Sequence, residues 1–361
     1  MKIIIMHQTV TNHDAIGNDI EAIYSLLKNE YDCYVYAENQ LNNNVAYISE
    51  KDAVSTIQEK DSVILYHHSV YWEKGYEFLK KSKGKIIFRY HNITPEKFFE
   101  PYNDFYFNLC KMGREQTNTL MDEFPGRYWM ADSIYNAHDL TKVDKNHILI
   151  SAPFHKTEEW IQVQTDEVIL KSLIESKEIN LLFVGRVAPN KGHMMLLDIV
   201  RVYNSNYEKP VKLRIVGKFD EGLPKYNNLI KSTIEKYGIE DAVEFIGEIN
   251  DSILASYYLG SDFYICASEH EGFCVPVIES QMLGLPIIAL DMCAVPETMG
   301  NKQMLFDKDV KKFAAAIHQI YENDEYYDYL IKNGYKNAMD RFSNESIEKV
   351  FMNAFKEGLE G

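Results

Sequence analysis

Cysteine is scarce and scattered in this chain. Five residues (Cys33, Cys110, Cys266, Cys274 and Cys293) are spread over 361, with no C-x-x-C pair. That spacing argues against a disulfide framework and against a zinc knuckle. Free thiols suit a reducing compartment, so a cytoplasmic location is expected. Positive charge is also short: 38 Lys and Arg stand against 54 Asp and Glu, for a net charge of −16. Nucleic acid is therefore not the expected partner, because binding its phosphates needs a basic footprint. No segment reaches the ~18 consecutive apolar residues of a membrane span. The opening MKIIIMHQTVTNH turns polar four residues after Lys2 and reads as a first strand rather than a secretory leader. There is no H-E-x-x-H, no aspartate-rich loop of calcium spacing and no D-x-D beside a strand end, so no metal is expected. Internal repeats and low-complexity tracts are missing as well.

Short apolar runs are what the chain has in quantity. KIIIM (2–6), CYVYA (33–37), SVILY (62–66), KIIFRY (85–90) and HILI (147–150) form one series. NLLFVG (180–185), VKLRIVG (211–217), VEFIG (243–247), DFYICA (262–267) and PIIAL (286–290) form a second. Helical patterns such as IEAIYSLLKNEY and MMLLDIVRVYN lie between them. Fully apolar strands alternating with helices predict parallel sheets covered on both faces. The alternation breaks over 151–178, and the length exceeds the ~250–300 residues at which single cores stop growing. Two doubly wound domains of α/β class follow, over 1–155 and 156–341, with an all-helical terminal segment, 342–361, after them. Ligands of such sheets bind at the carboxyl ends of the strands.

Three junctions carry candidate chemistry. GRVAPNKGH (185–193) lies between a strand and a helix, where free amides and a positive helix end suit an anion. Arg186 and Lys191 add cations there; the alternative is a loop with two solvated charges. The loop is neither a Walker A nor a full G-x-G-x-x-G, so a P-loop ATPase or a simple dehydrogenase is not indicated. EHEGFCVPVIES (269–280) follows the strand DFYICA. Gly272 frees the backbone for close approach to a ligand, Pro276 suits a first helical turn, and the amides of Gly272, Phe273 and Cys274 lie between Glu271 and Glu279. A carboxylate here suits paired hydroxyls such as those of a ribose; alternatively, Glu279 solvates the helix start. The third junction lies near the N-terminus. In TNHDAIGNDIEAI (11–23), Gly17 permits a tight approach and Asn18 or Asp19 could cap a helix. His68 and His91 stand at strand ends, each a candidate site residue or a structural hydrogen-bond donor. In ADSIYNAHDL (131–140), Ser133 reads as a helix cap and Asn136 as a ligand-facing residue. The basic stretch FLKKSKGKIIFR (78–89) is either a solvated helix end or a face for anionic lipid.

Taken together, E-x7-E after a strand and G-R-x4-K-G opening the same domain resemble the GT4 family of glycosyltransferases, retaining enzymes of the GT-B fold. The resemblance covers most of the chain and is strongest over 181–300, where PET (296–298) is similar to the family's P-E element. DAIGN (14–18), YHNITPEKFF (90–99) and DSIYN (132–136) resemble a bacterial polysaccharide-assembly branch. Two departures stand out: Ile16 precedes Gly17 where paired glycines are common, and Cys293–Ala294 replaces a small glycine pair.

The resemblance implies two Rossmann-like domains facing a cleft, with the last helix crossing back to the first. It implies that Arg186 and Lys191 hold a nucleotide-sugar diphosphate, Glu279 the ribose, and Glu271 the transferred sugar. Gly272, Phe273 and Cys274 would contact sugar and phosphate, Gly17 would lie near the diphosphate, and His91 would lie at the reacting face. His91 and Glu271 are thus the expected catalytic residues, with no metal or other cofactor. The expected activity moves a hexose, mannose first, from a GDP- or UDP-sugar to a glycan or lipid-linked acceptor in surface-polysaccharide assembly. It would act in the cytoplasm, peripheral to the inner membrane face. The alternatives are a nucleotide-sugar epimerase and a non-catalytic nucleotide-sugar-binding protein on the same fold.

Overall fold

Apolar runs too short for helices become the strands of two parallel sheets. They are seen in a computed structural model that describes residues 1–12, 14–161 and 164–360. His13 of the polar loop 11–23 and Gly361 of the terminal segment lie outside the described residues. The chain divides into two compact units, Met1–Glu96 with Phe105–Lys156 and Asn344–Gly361, and Lys97–Asp104 with Thr157–Ser343.

In the first unit the strands are β1 (Lys2–Met6), β2 (Asp32–Tyr36), β3 (Ser62–His68), β4 (Lys85–Tyr90), β5 (Tyr128–Ala131) and β6 (Ile148–Ile150). They pair in parallel in the order β2-β1-β3-β4-β5-β6. Every residue of β3 is buried, as expected of a sheet covered on both faces. Helix α1 (Ala15–Leu27) follows β1, and α2 (Asp104–Glu123) precedes β5. The cap of α1 is Asp14, whose carboxylate accepts from the Gly17 amide at 2.6 Å, and not Asn18 or Asp19. Asp19 lies inside the helix and is fully buried. The terminal helix Asn344–Glu360 belongs to this unit. Phe351 meets Phe154 edge to face, Phe355 meets Tyr31, and Lys85 donates to the Leu359 carbonyl.

In the second unit the strands are β7 (Ile179–Val184), β8 (Val211–Val216), β9 (Val243–Gly247), β10 (Phe263–Cys266), β11 (Ile287–Leu290) and β12 (Met304–Phe306). Their order is β9-β8-β7-β10-β11-β12. The order reverses between β7 and β10, so the loops leaving those two neighbours lie side by side at the position where open α/β sheets bind ligands. Helices α3 (His193–Asn206), α4 (Asp251–Gly260) and α5 (Val275–Met282) cover this sheet. The sequence reading counts Lys97–Asp104 with the first domain, but these residues cluster with the second unit. Asn103 donates to the Gly222 carbonyl at 2.5 Å, Tyr102 packs on Tyr226, and Phe98 lies against His270.

Candidate functional site

Each unit gathers polar side chains at the carboxyl edge of its sheet. In the second unit the loops after β7 and β10 are joined through Asn190. Its carbonyl accepts from the amides of Glu269 and His270 at 2.8 and 3.3 Å, and its side chain donates to the His270 carbonyl at 3.2 Å. This contact explains Gly192. Its φ is +72°, and a Cβ there would lie 1.9 Å from the Ala267 carbonyl oxygen, so any side chain would push the loops apart. The result is a direct pair: the Lys191 amine lies 2.7 and 2.9 Å from the two carboxylate oxygens of Glu271. Burial works to lower the Lys191 pKa, but the Glu271 carboxylate beside it holds the amine above its usual value. Lys191 and Glu271, which the family resemblance assigns to diphosphate and sugar, are thus immediate neighbours. Arg186 stands apart, half exposed, with Asp220 at 3.4 Å.

The second glutamate of the E-x7-E pattern has a different partner. Glu279 lies inside α5, buried, and accepts from the Tyr258 hydroxyl of α4 at 2.5 Å. Burial pushes its carboxyl up to about 7; the Tyr258 hydrogen bond opposes the shift and Asp251 adds to it. Glu271 and Glu279 therefore do not form an acid pair. One carboxylate faces a cation and the other a phenol, and nothing in the sequence pattern pointed to Tyr258.

Backbone geometry shapes the loop between them. Cys274, the residue before α5, has φ +74°, a left-handed conformation uncommon outside glycine. The PET element braces the loop: the Thr298 hydroxyl donates to the Phe273 carbonyl at 2.6 Å, and the Ala294 amide reaches the Glu271 carbonyl at 3.4 Å. Cys293 also has positive φ, +56°, a conformation that glycine adopts without strain. Cysteine adopts the same turn here. Phe273 is buried against Phe342, edge to face, so its side chain packs the core while its backbone belongs to the loop.

In the first unit, six polar side chains converge at the ends of β1, β3, β4 and β5. Asp19 holds Arg89 through two oxygens (Nε to Oδ2 2.5 Å, Nη2 to Oδ1 2.9 Å) and accepts from the Phe154 amide at 2.9 Å. Arg89 also donates to the Ser151 and Ala152 carbonyls. Both side chains are fully buried, which corrects the reading of 78–89 as one basic surface. Lys80 pairs with Glu77, while Arg89 turns inward. His91 Nδ1 lies 2.9 Å from Asp132 Oδ2, and its Nε2 lies 2.8 Å from His67 Nδ1. His7 Nδ1 donates to the His67 carbonyl at 2.9 Å. Burial lowers His67 well below the usual histidine value and His7 to about 4.

His68, the other strand-end candidate, faces away and pairs with the Thr117 hydroxyl at 2.8 Å. Successive strand residues point to opposite faces, so His67 enters the cluster and His68 the packing. Gly17 is buried; a Cβ there would lie 2.0 Å from the Thr11 carbonyl, so the close approach it permits is to its own chain. Ser133 caps its short helix, while Asn136 is buried and accepts from Asn92 instead of facing outward. The sequence shows no metal-spaced motif, yet the fold brings ligand atoms of Asp19, His67 and His91 within 4.8 Å of one another. Hydrogen bonds engage all three: Arg89 takes both Asp19 oxygens, and the two imidazoles bond each other.

Two parallel-sheet Rossmann-like units with the terminal helix in the first define the fold of the GT-B glycosyltransferases. Anabaena HepE, solved in complex with UDP and glucose, superposes with a TM-score of 0.76 at 15% identity, over 99% of this chain and 100% of that one. Residues 164–337, within the second unit, match the family Glycosyl transferases group 1. An uncharacterized glycosyltransferase of Haemophilus influenzae is 30% identical over 180 residues, 49% of this chain and 47% of its own. The O-antigen chain mannosyltransferase B of Escherichia coli is 23% identical over 180 residues, 48% of this chain and 45% of its own. The matches span under half the length of these curated relatives.

Proposed function

We propose that the protein is a retaining glycosyltransferase that moves a hexose from a nucleotide-diphosphate sugar to a glycan or lipid-linked acceptor in surface-polysaccharide assembly. The observation that carries the reading is the Lys191–Glu271 pair at the strand-order reversal of a group 1 glycosyltransferase segment. The transferred sugar's C1–oxygen bond to the diphosphate breaks, and a new bond forms from C1 to the acceptor oxygen. The acceptor's proton leaves with the nucleotide diphosphate. Negative charge grows on the leaving group, and Lys191 and Arg186 are fixed cations that stabilise it. Glu271 contacts the sugar, and Glu279 takes the ribose hydroxyls. The amides of Gly272, Phe273 and Cys274 serve sugar and phosphate, and Gly17 lies by the diphosphate. His91 serves the reacting sugar. No metal takes part.

The names of the relatives support the substrate class: one acts on O-antigen chains as a mannosyltransferase, and one solved neighbour holds UDP and glucose. Mannose from GDP-mannose is our first donor, with UDP-sugars next. A thermal-shift panel of UDP, GDP and ADP in chelator tests the class. One nucleotide at 100 times its dissociation constant adds about 2.7 kcal/mol to the fold. No stabilisation by any of them would overturn the reading, and stabilisation that needs added Zn²⁺ or Mn²⁺ would overturn its metal-free form.

Glu279 gives the reading a pH signature. Ionised, the carboxylate accepts from two ribose hydroxyls; neutral, it must donate one proton itself. Its folded-state pKa is about 7, so affinity for an intact nucleotide sugar rises as pH climbs through 7. Calorimetry at pH 6 and pH 8 is expected to differ by about tenfold, and Glu279→Gln is expected to remove the difference. A wild-type profile that follows Glu279→Gln at both pH values would contradict the ribose role. Stability runs the other way. The raised pKa means the folded state holds the proton longer, so Glu279's contribution is present in full below the unfolded carboxyl value and is lost as pH rises to 7.

A further inference from the structure

We infer that Asp132 and His67 are positioning residues that fix the tautomer and orientation of His91. The inference rests on the role proposed for His91 above. Direction follows from what each atom can do. An aspartate carboxylate only accepts, so at 2.9 Å His91 Nδ1 must carry the proton it gives to Asp132. His91 Nε2 is then a bare lone pair whose donor in the free protein, 2.8 Å away, must be His67 Nδ1; a sugar hydroxyl takes that donor's place when His91 serves the reacting sugar. With the proton on Nδ1, His67 Nε2 has none, and it is buried with no hydrogen-bond partner. An uncharged lone pair fits such a place, in keeping with the depressed basicity of His67.

The rest of the neighbourhood keeps this order. The two rings stack with centroids 5.0 Å apart. His7 donates to the His67 carbonyl and anchors the strand end from β1. Arg89 and Asp19 neutralise each other beneath, with Asp19 Oδ2 3.8 Å from His67 Nδ1 and 3.9 Å from His91 Nε2. Arg89 lies 3.7 Å from Asp132 Oδ1, an oxygen that is buried without a hydrogen bond. It thus steadies the Asp132 charge electrostatically and leaves Oδ2 to His91. Among the described residues, Asp132, His67, His68, Asp19, Arg89 and His7 are charged or titratable groups around His91, contributed by the ends of β1 and β5, by β3 and β4, and by α1. Unpartnered buried polar atoms at both ends of a hydrogen-bonded chain call for an explanation, and the positioning of His91 supplies one.

Two measurements test the inference. Long-range ¹H–¹⁵N spectra of the full wild-type chain read the His91 tautomer directly. The Nδ1–H form is expected, and the Nε2–H form would overturn the inference whatever the variants do. Kinetics use nucleotide release from GDP-mannose or UDP-glucose, whichever nucleotide the panel selects. Asp132→Asn and His67→Leu are expected to lower kcat by about 10²-fold, the effect of a misplaced catalytic group, with donor KM unchanged. His67→Asn restores a donor near the Nδ1 position and should recover most of the rate, which a purely structural loss would not do. Wild-type kcat in folded Asp132→Asn and His67→Leu, alongside an impaired His91→Ala, overturns the positioning role and leaves the role of His91 standing. Wild-type turnover in His91→Ala removes both.

Discussion

Replacing Lys191 by alanine is expected to lower the transfer rate by about 10²- to 10³-fold, the loss seen when one fixed donor to a developing anion is removed. The variant takes away the cation proposed for the leaving diphosphate. It also strips Glu271 of both short contacts, 2.7 and 2.9 Å, while that carboxylate stays largely buried. An unpaired carboxylate beside an incoming diphosphate adds repulsion to lost attraction. kcat should therefore fall along with kcat/KM, since the interaction strengthens as charge builds on the leaving group. A rise in KM alone would mean that Lys191 binds ground state and transition state equally. Rates close to wild type would remove the diphosphate role.

Asp19→Ala is expected to destabilise the first unit by about 3–5 kcal/mol, the range for breaking a buried ion pair from one side. The Arg89 guanidinium would keep its bonds to the Ser151 and Ala152 carbonyls but lose its bidentate partner, and its nearest remaining carboxylate contact is Asp132 at 3.7 Å. The Phe154 amide would lose its acceptor as well. Urea unfolding followed by circular dichroism reads the effect. The double variant Asp19→Leu/Arg89→Met should recover part of the loss, because the penalty comes from an uncompensated charge and not from the missing attraction. A single variant as stable as wild type would show that the guanidinium finds other compensation.

Both variants bear on how much was legible in the chain beforehand. The apolar runs showed the strands because a parallel strand covered on both faces has no polar side to blur it. The E-x7-E and G-R-x4-K-G spacings marked the two candidate loops because both fall at strand ends. What spacing could not carry was partnership. Glu271 and Lys191 are 80 residues apart, and Tyr258 reaches Glu279 from a different helix. In the first unit, the sequence reading names His68 and not His67; the two-residue period of a strand says only that the two point opposite ways, and His67 is the one that meets His91. Arg89 read as the end of a basic surface run because its burial depends on Asp19, a residue that local pattern assigned to a helix cap. Register across β3, β4 and β5 decides these meetings, and register is a property of the folded sheet.

One measurement tests the central claim most directly. The protein is incubated with the nucleotide sugar chosen by the thermal-shift panel and with membrane-extracted glycan acceptors, and the products are resolved by mass spectrometry. The account predicts free nucleotide diphosphate together with an acceptor heavier by one hexose residue, both lost in Lys191→Ala. A donor returned as its sugar isomer, or bound and returned unchanged with every acceptor, would contradict it.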